Sequence, residues 1–81
     1  MKNEKEYFIA ETRKNEYFHN QDQNVVKYRK KDNKKFFLGS GLEELETAVL
    51  EGEITKLSPG FVYTFQSILK SRNLLLISGE K

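Results

Sequence analysis

The chain has one histidine, His19, and no cysteine. Those two counts bound the chemistry first. A zinc site draws its ligands from Cys, His, Asp and Glu. With His19 alone, every other ligand would be a carboxylate or would come from a second subunit. General acid–base work by His19 would also need partners within hydrogen-bond reach. No Gly-x-Ser-x-Gly, His-Glu-x-x-His or phosphate-loop pattern occurs in the sequence. Gly39-Ser40-Gly41 precedes a helical pattern and could present backbone N–H groups to an anion. Glu43 and Glu44 then place negative charge at the same spot, so a connector and helix cap explains these residues better. The acids Glu43, Glu44, Glu46, Glu51 and Glu53 point at several angles around a short helix, which reads as a solvated face and not a cation site. The expectation is a non-enzymatic chain with no catalytic residue, no metal and no cofactor.

Binding chemistry is better represented. Between Lys27 and Lys35 lie six cations (Lys27, Arg29, Lys30, Lys31, Lys34, Lys35) and one acid, Asp32. That window carries +5, while the whole chain of 81 residues carries +2, so the remainder sums to −3. A near-neutral total conceals one basic tip. Lys and Arg contact phosphates, and the neighbouring Phe36 offers a ring on which a base can stack. The same cations would steer the chain toward an acidic protein surface. They would also guard a sheet edge against aggregation, with their stems covering apolar surface. A second candidate is Tyr63, placed by helical periodicity opposite an apolar stripe; tyrosine is favoured at interface hot spots.

These side chains need elements to hold them. Seven of the ten aromatics precede Gly39, and eight of the nine leucines follow it. Aromatic and β-branched residues fit a pleated surface and leucine suits helices, so sheet should precede helix. Glu6 to Arg13 alternates as a strand, with either Phe8 and Ala10 or Tyr7 and Ile9 on its buried face. Lys14-Asn15 is the expected turn, and Glu16 to His19 the returning strand. After the polar loop Asn20 to Asn24, Val25 to Lys31 and Lys34 to Leu38 form a hairpin around Asp32-Asn33. A two-residue turn there pairs Tyr28 with Phe37 and Arg29 with Phe36. Val26, Tyr28 and Phe37 then share one face; Lys27, Arg29, Lys31, Lys34, Phe36 and Leu38 share the other.

Ser40 and Glu43 match a capping box, and Leu42, Leu45 and Val49 form a helical stripe that Gly52 should stop. Glu53 to Leu57 reads as an extended linker. Ser58-Pro59 is a strong helix start, followed by the stripe Phe61, Val62, Phe65, Ile68 and Leu69. Lys70, Arg72 and Asn73 would close that helix, and Leu74 to Ile77 would supply a short terminal strand over about 74–78.

The expected fold is one α+β domain over 1–81: a mainly antiparallel sheet of four or five strands, from about 6–38, packed against two helices, about 42–72. The expected core is Phe8, Ala10, Val26, Tyr28, Phe37, Leu42, Leu45, Val49, Phe61, Phe65, Ile68, Leu69 and Leu75. The residues Met1 to Glu6 lack the apolar region of a signal peptide. The longest aliphatic run, Leu74 to Ile77, falls far below the ~20 residues of a membrane span. A cytoplasmic location with no membrane contact is therefore expected. The function that fits is a small binding protein that regulates or inhibits a larger partner with an acidic surface. Its site would be Lys27, Arg29, Lys30, Lys31, Lys34, Lys35, Phe36 and Tyr63. Nucleic acid bound by the basic hairpin is the alternative, and a homodimer is compatible with either.

Overall fold

The computed structural model describes residues 5–71. They form an α+β fold, a five-stranded antiparallel sheet with two helices. The strands β1 (Glu6–Thr12), β2 (Asn15–Asn20), β3 (Val25–Arg29) and β4 (Lys34–Gly39) run as a meander. Helix α1 (Glu43–Leu50) carries the chain to β5 (Ile54–Leu57), which pairs with β1, and α2 (Pro59–Lys70) follows. The strand order is β4-β3-β2-β1-β5. Glu53 to Leu57, expected as a linker, thus supplies the fifth strand. The expected terminal strand at Leu74 to Ile77, with Leu75, Arg72 and Asn73, lies outside the described residues.

The turns are built from side chains and positive φ. Thr12 Oγ1 accepts from the backbone N–H groups of Lys14 and Asn15, which closes the β1–β2 turn at Arg13-Lys14, one residue earlier than expected. Asn20 is buried and its Oδ1 accepts from the N–H groups of Asp22 and Asn24, ordering the β2–β3 loop. The β3–β4 connection has four residues, Lys30 to Asn33, with Asn33 at φ +56°. Arg29 pairs with Lys34, Tyr28 with Lys35, Lys27 with Phe36 and Val26 with Phe37. The pairing therefore slips by two residues from the expected two-residue turn. Because side chains alternate with period two, the slip leaves every residue on its expected face.

The face that the helices cover is the opposite of the one expected. The core joins Ile9, Ala10, Tyr17 and Val25 of the sheet to Leu45, Val49, Phe65 and Leu69 of the helices, with Leu38, Leu42, Phe61 and Ile68 packed at its margin. Val26, Tyr28 and Phe37 lie on the other, open face. There Phe8 meets the edge of Phe18 at 5.8 Å, and Phe18 meets Tyr28 at 5.6 Å. Val26 is buried within that second cluster, but Phe37 is 66% exposed and is no core residue. For β1 the choice between Phe8/Ala10 and Tyr7/Ile9 has a mixed answer. A β-bulge between Phe8 and Ala10 turns both Ile9 and Ala10 into the helix-covered core.

Helix α1 starts at Leu42, with no side-chain cap, so the Ser40 capping box does not form. The Glu43 carboxylate instead folds back over Gly41, where it fills the space of a Cβ. At its other end, Gly52 takes φ +71°, its N–H donates to the Val49 carbonyl at 3.1 Å, and the Glu53 N–H donates to Ala48 at 2.9 Å. That pair of bonds is a Schellman ending. Ser58 and Pro59 open α2 where expected, although the Ser58 hydroxyl makes no cap bond.

Candidate functional site

The four-residue loop and the register of β3 and β4 decide where the six cations go. Lys27 lies on the helix-covered face and donates to Glu44 Oε2 of α1 at 2.9 Å. Arg29 meets Asp32 in two bonds, Nε to Oδ1 at 3.1 Å and a terminal nitrogen to Oδ2 at 2.8 Å. Lys30 bonds Glu11 of β1. Lys35 pairs with Glu6 at 3.4 Å on the open face. Set against Asp32 and the three outside acids, the six cations leave +2 at this corner instead of +5. Lys31 and Lys34 are exposed and make no ion pair among the described residues.

Phe36 is half-buried on the helix-covered face, beneath three of these cations. Lys27 Nζ lies 5.0 Å from its ring centre, Arg29 Cζ 5.1 Å and Lys34 Nζ 5.7 Å. Its π-face is occupied by the chain's own charges. It is thus less available for stacking than the sequence suggested. The adjacent Phe37 is the exposed ring of β4, and its role in a site was missed because the sequence pattern assigned it to the core. Tyr63 is 79% exposed on α2, as its helical position implied. It sits on a different element from the hairpin and makes no bond to it among the described residues. Tyr7 is a third exposed ring, at 55%.

One polar chain links the sheet to α1. The Tyr17 hydroxyl, on a residue only 2% exposed, donates to the same Glu44 Oε2 at 2.7 Å. Burial and the Glu44 carboxylate push the Tyr17 hydroxyl well above the usual tyrosine value, so it stays neutral. For Glu44, burial pulls upward but the hydrogen bonds from Lys27 and Tyr17 outweigh it and hold the carboxyl below its ordinary value. On the open face, burial and Glu6 raise Tyr28, whose hydroxyl donates to Glu6 Oε1 at 2.8 Å. Tyr17 and Glu44 also line a cleft of about 460 Å³, bounded by Arg13, Thr47 and Glu53. Its polar groups bond chiefly to each other.

His19 is half-buried with its ring 5.4 Å from Phe61, and burial lowers its pKa. No group of three or more His, Asp or Glu side chains among the described residues is placed to hold a metal ion. No helix among them is long and apolar enough to cross a membrane. The corner formed by β4 and its loop therefore combines the largest exposed sheet aromatic with the cations that have no acid of their own. No known protein family, curated protein or solved structure matches the chain.

Proposed function

We propose that this chain is a small non-enzymatic protein that regulates or inhibits a larger partner by docking on it, with the β4 corner as its contact. The observation that carries the reading is Phe37, 66% exposed on β4 beside Lys34 and close in sequence to Lys31. Burying such a ring in a partner's recess contributes about 1.5–3 kcal/mol. Uncompensated cations around it favour an acidic rim and speed encounter. The arrangement is that of an aromatic anchor with charged surroundings, as in interface hot spots. A cytoplasmic setting belongs to this reading and agrees with a chain that contains no cysteine.

Nucleic acid is the weaker partner. Four of the six cations already have carboxylate partners, and the open face adds Glu6, Glu11 and Glu16 beside its rings. A phosphate backbone laid there would meet those acids.

The test is capture from extracts of the source cells by the wild-type chain, by Phe37→Ala and by Lys31→Glu/Lys34→Glu, with and without nuclease. A protein held by the wild type, lost with both variants and indifferent to nuclease is the expected result. Equal capture by all three chains refutes the assigned corner, and loss on nuclease treatment favours nucleic acid.

A further inference from the structure

The docking corner includes a main-chain surface as well as side chains. Among the described residues β4 pairs only with β3, so it is an edge of the sheet. In an antiparallel ladder alternate residues turn their N–H and C=O groups away from the partner strand. Such an edge is a template for one more strand. We propose that β4 takes up an extended, acidic segment of the partner protein as an added strand over Lys34 to Phe37. This rests on the docking reading above and specifies its geometry.

Three features select that occupant. First, the added strand would set alternate side chains beside Phe37 on the open face, and an apolar residue there would cover the exposed ring. Second, Lys34 at the head of the strand and Lys31 in the loop lack acidic partners among the described residues. They repel a basic strand and reward an acidic one, so the device that discourages indiscriminate edge pairing also confers selectivity. Third, the usable length is bounded. Val26 opposes Phe37 but Val25 opposes Gly39, so Leu38 is bulged, and Gly39 turns away at φ +82°. The opposite edge, β5, has four residues, its own irregularity at Thr55 and no exposed aromatic.

The probe is a short capped peptide that alternates Glu with Val and Phe, titrated into the full chain and followed by amide NMR shifts and hydrogen exchange. A lysine-for-glutamate version and a version with alternate backbone nitrogens methylated serve as comparisons. The acidic peptide should shift the β4 amides and slow exchange of the outward-facing ones. Methylation removes the peptide's main-chain donors and should weaken binding about tenfold or more. The lysine version should not bind. If methylated and unmethylated peptides bind alike, strand addition is refuted while side-chain docking at Phe37 stands. Shifts confined to β5, or no binding by the acidic peptide, also refute strand addition; the capture experiment with Phe37→Ala then judges the docking corner separately.

Discussion

Replacing Glu44 by Ala should be among the most damaging single changes at the protein surface. Its Oε2 atom receives both the Tyr17 hydroxyl at 2.7 Å and the Lys27 ammonium at 2.9 Å. A hydrogen bond to a charged group is worth about 1.5–3 kcal/mol. The Lys27 pair adds less, since the Glu44 side chain is 43% exposed and water screens it, so about 0–1 kcal/mol is appropriate. Without the carboxylate the buried Tyr17 hydroxyl retains only Asn15 Nδ2, a donor at 3.4 Å, and has no acceptor among the described residues. Glu44→Ala should therefore cost about 2–3 kcal/mol, or roughly 10–20 °C in thermal midpoint for a chain of this size. The assay is a double-mutant cycle with Tyr17→Phe, followed by urea and thermal unfolding. In the Tyr17→Phe background the orphaned hydroxyl no longer exists, so Glu44→Ala should cost about 1 kcal/mol or less, a coupling of about 1–2 kcal/mol. The pH dependence has a definite sign. The folded carboxyl lies below its ordinary value of 4.5, so its contribution is present above that pH and lost as the pH falls through the folded value. Glu44→Ala should flatten that acid limb. A coupling below about 0.3 kcal/mol would refute the account, because the hydroxyl would then not depend on this carboxylate.

Two further outcomes follow from the same structure. Tyr17 and Tyr28 are both raised from 10.0, chiefly by burial, so stability from their neutral hydroxyls should persist below pH 10 and fall as the pH climbs through their folded values. Absorbance titration should show phenolate appearing late, and Tyr17→Phe should remove the latest component. Gly52→Ala should cost about 1 kcal/mol by unfolding measurements, because φ +71° in the Schellman ending strains any Cβ.

The periodicities that identify elements are local, and they were legible. The strands from Glu6 to Leu38, the stripe of α2 and the Ser58-Pro59 start all stand where their spacing put them. The choice of covered face was not legible, because β2, β3 and β4 carry apolar or aromatic residues on both sides. What separates those sides is long-range: the Tyr17–Glu44–Lys27 chain and the Ile9-Ala10 bulge tie one face to the helices. The basic window was read correctly as a run of charge and incompletely as a surface. Glu44, Glu11 and Glu6 are distant in sequence from the lysines they meet, and no spacing rule brings them together.

The bulge in β1 also bears on how this sequence can change length. Phe8 pairs with Phe18 and Ala10 with Tyr17, so Ile9 is the residue outside the ladder. Deleting Ile9 would join those two pairs into an unbroken register and leave every flanking side chain on its own face. The loss would be one buried aliphatic and the bond from the Ser58 N–H to the Ile9 carbonyl. A deletion elsewhere in the strand would turn all residues beyond it inside out. Position 9 is thus where this lineage could shed a residue from its sheet and still fold.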